Sequence, residues 1–151
     1  MSTVIRIQRE DFDPQMEADA LTKGRHDIGA LATFTGFCRH EEGALSALEL
    51  EHYPGMAEKE LQRIVDEARR RWPVQGITVL HRYGKIMPGE RIVFVAVSGS
   101  HRTEAFAACE FIMDFLKTSA PFWKREHNVD GSKGEWVEAK DADDKARDRW
   151  Q

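Results

Sequence analysis

The chain has 151 residues, the size of one ordinary domain and enough to bury a core without disulfide staples. Apolar residues make up 41% of it, with 11 Gly and 5 Pro, which excludes disordered, collagen-like and low-complexity compositions. Twenty-two basic against 26 acidic residues give a formal net charge of −4. That balance argues against general binding to nucleic acid or anionic membrane, so any bound anion must be met by a local basic cluster.

In chain order, residues 3–8 read as a short strand. Asp13 and Pro14 start a helix, as N-cap and first helical residue, with Met16, Ala20 and Leu21 as its apolar stripe and Gly24 at its end. Residues 28–38 are rich in apolar, aromatic and β-branched side chains and read as a strand. Residues 44–53 form another, with Leu48, Leu50 and His52 on one face and Glu49 and Glu51 on the other. After the turn at Pro54-Gly55, residues 57–72 carry Leu61, Ile64, Val65, Ala68 and Trp72 at helical spacing, and Pro73 stops that helix.

Residues 77–83 and 91–98 are strands joined by a turn at Met87-Pro88-Gly89. Ser100 is placed to cap a long helix to Lys117 whose stripe is Ala105, Phe106, Cys109, Ile112, Met113 and Leu116. Residues 121–126 and 136–139 read as short strands, and 141–150 as a final helix. Hairpins outnumber crossovers, so residues 1–151 are expected to form a single α+β domain with a mainly antiparallel sheet and packed helices.

Cys38 and Cys109 lie far apart and form neither a CxxC pair nor a disulfide framework. No early apolar run reads as a signal peptide and none approaches the roughly 20 residues of a membrane span. A soluble cytoplasmic protein with reduced thiols is the expectation. Six histidines are scattered without metal-ligand spacing, and Cys109 sits on an apolar helix stripe as a core residue would. Cys38 beside Arg39 and His40 has neighbours that favour a thiolate, although a small strand residue explains it more simply.

Two basic clusters stand out. Ser98 to Arg102 join a strand end to a helix start, where free N–H groups and the helix dipole favour an anion. His101 and Arg102 in that first turn suit a bound anion or, equally, a solvated turn. The second cluster holds Lys117, Lys124 and Arg125 with no acid between them. Lys117 follows the apolar run 111–116, and a lysine at such an edge can be partly desolvated and serve as base or nucleophile; it would also complement the dipole at a helix C-terminus. Arg39 is a third positive candidate. A pocket joining Arg39, His101, Arg102, Lys117 and Lys124 would suit a phosphorylated small molecule or a carboxylate tail. A non-catalytic module that binds such groups would carry the same charges.

Five strings carry a resemblance: Phe34-Thr35-Gly36 through Arg39, LEHYPGM at 50–56, Ser100-His101-Arg102, APFWKRE at 120–126 and WVEA at 136–139. In that order they resemble the large, catalytic subunit of molybdopterin synthase, over nearly the whole chain. The resemblance implies an α/β hammerhead-type fold and a central homodimer of large subunits, with a small ubiquitin-like subunit at each end of a heterotetramer. It implies transfer of two sulfurs from the small subunit's C-terminal Gly-Gly thiocarboxylate to cyclic pyranopterin monophosphate, forming the dithiolene of molybdopterin. No metal or organic cofactor is implied. Lys117 and Lys124 match the family's catalytic lysines, Arg39, His101 and Arg102 its substrate pocket, and Phe34 and Met113 positions near the tail. Lys140 stands where relatives carry Arg. The strands at 28–38 and 91–98 are candidate suppliers of the dimer interface.

Overall fold

In chain order the elements are β1 (Ser2–Gln8), α1 (Pro14–Thr22), β2 (Ala30–Phe37), β3 (Leu45–His52), α2 (Met56–Arg71), β4 (Val74–Arg82), β5 (Gly84–Ile86), β6 (Arg91–Gly99), α3 (Arg102–Leu116) and β7 (Phe122–Asn128). The computed structural model describes residues 2–39, 45–118, 122–136 and 147–150. The α+β class is as expected, but the strands form two sheets rather than one. The larger has the order β1-β4-β6-β2 and the smaller β5-β3-β7. Every pairing is antiparallel except β1 with β4, which is parallel.

The central strands β4 and β6 are nearly continuous apolar runs because both of their faces are covered. Ile77, Val79, Val93, Val95 and Val97 point to one face, where Leu61, Ile64 and Val65 of α2 and Cys109, Phe111 and Ile112 of α3 pack on them. Leu80, Phe94 and Ala96 point to the other, under Phe12 and Leu21. Each fully buried Leu, Ile, Val or Phe among these stabilises the fold by about 1.5–3 kcal/mol relative to exposure.

Several expectations are corrected. Met16, expected on the stripe of α1, is exposed; the helix buries Ala18 and Leu21 instead, because Phe12 just before the cap turns that face to the sheet. Asp13 caps α1 as expected, accepting from the N–H groups of Gln15 and Met16. On α3, Phe106 is exposed and Ala108 and Phe111 take the buried face. Strand β5 is only three residues long, too short to register as a pattern. Of the segment at 136–139, Trp136 has no regular structure and the rest lies outside the described residues, as do Lys140 and the first six residues of the expected final helix. Residues 147–148 form a helical turn.

Ser100 does not cap α3. The cap position is His101, without a side-chain bond, because the chain stays extended one residue longer. Gly99 still pairs with Ala30 and Val74, and its carbonyl accepts from the Gly29 N–H at 2.9 Å. Gly29 lies so close that a Cβ built on it would sit 2.0 Å from the Ser100 carbonyl oxygen. Gly29→Ala must therefore push the start of α3 away. The expected cost is about 1–3 kcal/mol, read as a Tm lowered by roughly 2–4 °C per kcal/mol; an unchanged Tm contradicts the packing described.

Candidate active site

Lys117 closes α3 in helical geometry (φ −74°, ψ −18°), its N–H donating to the Met113 carbonyl at 3.1 Å. Its side chain is exposed, so this chain alone does not supply the desolvation expected for it. Its charge nevertheless reaches His81 of β4, where it disfavours the imidazolium. His81 lies flat on Phe122 at the start of β7, with centroids 3.8 Å apart and planes 15° apart. Phe122 pairs with His52 of β3, and Lys124 pairs with Leu50. Opposed residues of an antiparallel ladder share a face, and alternate residues repeat it. His52, Phe122 and Lys124 therefore stand on one face of the small sheet, while Trp123, Arg125 and His127 stand on the other. The His81–Phe122 stack is the joint that brings Lys117 and Lys124 into one neighbourhood.

Sequence reasoning missed both histidines of this joint. His81 sits inside an apolar run and reads as core; His52 belongs to the LEHYPGM string, which offered a signal. The His81 Nδ1–H donates to the Arg82 carbonyl at 2.8 Å, and a carbonyl only accepts, so the ring's Nε2 carries the lone pair. His52 is buried against Tyr83, with centroids 4.6 Å apart. Its Nδ1 is shielded from solvent with no hydrogen-bond partner, the nearest carboxylate oxygen, on Glu51, being 3.6 Å away.

Burial, with smaller contributions from the Lys117 and His52 charges, holds His81 down to about 4. In the unfolded chain a histidine takes its proton near 6.5. Between those values the unfolded chain binds a proton that the folded chain refuses. Stability is therefore lost as pH falls from 6.5 toward 4, by on the order of 3 kcal/mol at the lower limit. Urea unfolding across this range should show that slope in the wild type and a flatter one in His81→Phe; equal slopes contradict the burial of a neutral ring.

The remaining predicted residues fall as follows. Arg39 is exposed just past the end of β2. Phe37 at that end pairs with Arg91 at the start of β6. The helix α3 returns along β6, with Cys109 over Val95, so its last turn and Lys117 lie toward the same end of the sheet as Arg39. Met113 is buried beneath that last turn, and Phe34 is 42% exposed on β2, the edge strand, beside exposed Leu31 and Phe37. His101 and Arg102 are exposed at the opposite end of α3. Fifteen helical residues separate the two ends by about 22 Å. One chain thus brings Lys117 and Lys124 together at the sheet end that carries Arg39, and leaves His101 and Arg102 apart from them.

The strand β6 lies between β4 and β2 and is buried from Val93 to Gly99, so of the two strands considered for an interface only β2 presents a free edge. Neither cysteine is poised to react. Burial pushes the Cys109 thiol up to about 12, and Cys38 is buried with Leu50 and Ile86. Among the described residues no cluster of three or more His, Cys, Asp or Glu is arranged to hold a metal ion, and no helix is long and apolar enough to cross a membrane.

These features define a two-sheet α+β protein whose chemistry rests on paired lysines over a neutral histidine–phenylalanine joint. The MoaE protein family matches residues 7–119. A molybdopterin synthase catalytic subunit from Mesorhizobium japonicum is 60% identical over 150 residues, covering 99% of this chain and 94% of that one. A molybdopterin biosynthesis MoaE protein from Burkholderia ambifaria superposes with a TM-score of 0.84 at 51% identity, covering 98% and 97% of the two chains. A molybdopterin synthase structure from Staphylococcus aureus does so with a TM-score of 0.78 at 31% identity, covering 87% and 94%. The chain belongs to the MoaE family of molybdopterin synthase catalytic subunits, as its motifs indicated.

Proposed function

We propose that this chain, acting as one domain, transfers two sulfurs from the C-terminal thiocarboxylate of a small ubiquitin-like subunit to cyclic pyranopterin monophosphate. The reaction is a cytoplasmic step of molybdenum cofactor biosynthesis and needs no metal or organic cofactor. The observation that carries the reading is the convergence of Lys117 and Lys124 on the His81–Phe122 joint. Both the substrate and the tail are anions, and cationic side chains in a partly dry pocket stabilise charge as it moves between them. Sulfur attack on the pterin side chain opens the cyclic phosphate and requires proton transfers. Lys117 is the general acid/base, with a transient acyl link to the tail as the alternative role, and Lys124 holds the charge of the reacting groups.

Arg39, His101 and Arg102 bind the phosphate and pterin, and Phe34 and Met113 line the path of the tail. Because His101 and Arg102 sit about 22 Å from Lys117 along α3, a second copy of the chain supplies them. The working unit is then a homodimer, with one small subunit bound at each end. The free, apolar edge of β2 is a surface suited to these contacts.

Calorimetric titration of Arg102→Ala tests the anion-binding role. Substrate binding should weaken by about 1.5–3 kcal/mol, the worth of a charge-assisted hydrogen bond, with affinity for the small subunit held. Unchanged substrate affinity contradicts the assignment. A module that only binds would take up both partners and release no dithiolene.

A further inference from the structure

Lys117 has a carboxylate one turn behind it that it does not use. Asp114 and Lys117 are three residues apart on helical backbone, the spacing at which an acid N-terminal to a lysine forms an ion pair. Among the described residues no carboxylate pairs with Lys117. Asp114 is instead engaged by the C-terminal turn. Its Oδ2 accepts from Nη2 of Arg149 at 3.1 Å and from Nε1 of Trp150. Arg149 also pairs with Glu110, one turn further back.

That turn is itself anchored. The Trp150 ring meets Trp72 and Phe111 edge-on at 5.6 and 5.7 Å, and its carbonyl accepts from Arg71 of α2. The remaining charged and titratable groups on elements around the end of α3 are His81 on β4, His52 on β3 and Lys124 on β7. His81 is neutral at pH 7 and Lys124 is a cation, so neither offers Lys117 a counter-charge.

We propose that Arg149 and Trp150 are positioning residues that clamp Asp114 away from Lys117 and so keep the Lys117 amine able to exchange its proton. A free carboxylate beside a lysine favours the ammonium form and holds the proton on it. Inside the clamp the Asp114 charge is met by Arg149, and both acceptor contacts face the C-terminal turn. The inference rests on the acid/base reading of Lys117 for its consequence in turnover, but its physical content is the protonation of one amine and can be read without turnover.

The test uses the full chain and a limiting amount of a small acylating ester at pH 7.5, with Lys117 labelling followed by peptide mass spectrometry. Only the free amine reacts. Arg149→Gln combined with Trp150→Phe opens the clamp, and Lys117 labelling should slow by about 3- to 10-fold. Adding Asp114→Asn to that double variant should restore the rate to within about 2-fold, because the carboxylate that captured the ammonium is gone. Trp150→Phe alone keeps the ring packing, removes one N–H and should slow labelling part-way, which covers the case in which the double variant folds poorly. An unchanged rate in the opened variants overturns the proposal, as does a slowing that Asp114→Asn leaves in place. Lys117→Ala turnover decides the acid/base reading separately: full activity there overturns that reading and leaves the labelling result to judge the clamp.

Discussion

Lys117→Ala should lose about 10²–10⁴-fold in sulfur transfer, the usual worth of a general acid/base, while the fold and the complex with the small subunit persist. The side chain is exposed at the end of α3, so its removal leaves no cavity. Its structural contribution is limited to the helix dipole, about 0.3–1 kcal/mol. The structural and catalytic roles therefore separate in two measurements. If Lys117 only supports the helix, the variant melts slightly lower and still turns over. If it moves protons, melting and complex formation barely change and dithiolene product nearly vanishes. Lys117→Arg sharpens the result: it keeps the charge but does not readily give up a proton, so it too should be poorly active. Wild-type activity in the Arg variant would mean that the position only holds an anion.

Mixing two inactive variants should restore activity. Lys117→Ala and Arg102→Ala lie at opposite ends of α3, and the proposed site draws one end from each of two chains. A mixed dimer then has one site with both lesions and one with none. Random assembly makes half of the dimers mixed, each with one of two sites intact, so about a quarter of wild-type activity should return. Co-refolding the two chains and assaying against each alone gives the result. Recovery near zero would place both residues in the same chain's site and contradict the geometry argued from the length of α3.

Much of the fold was legible because the strong periodic signals lie where burial is one-sided or complete. The alternation of Leu48, Leu50 and His52 with Glu49 and Glu51 marked β3, and the buried stripe of α2 followed its spacing residue by residue. What failed had particular causes. The face of α1 was misread because Phe12, outside the helix, sets its rotation. The start of α3 was misread because a tertiary contact, Gly29 against Ser100, outweighs a favourable cap residue. The second sheet was invisible because β5 is three residues long and β3 pairs with β7 far along the chain. In the site, charge marked Lys117, Lys124 and Arg39, whereas His81 was hidden because a neutral buried imidazole in an apolar strand looks like core. The distance between Lys117 and Arg102 could not be read from motifs, since it follows from which end of one helix each residue occupies.

The central claim is that this chain moves sulfur from a protein tail to a pterin. Its most direct test is single-turnover mass spectrometry of the wild-type chain with a thiocarboxylated small subunit and cyclic pyranopterin monophosphate. The account predicts that the small subunit's C-terminus becomes a plain carboxylate while the pterin gains two sulfurs, both at rates that collapse in Lys117→Ala. A small subunit that stays bound and keeps its thiocarboxylate in the presence of substrate would contradict it and leave a binding module in its place.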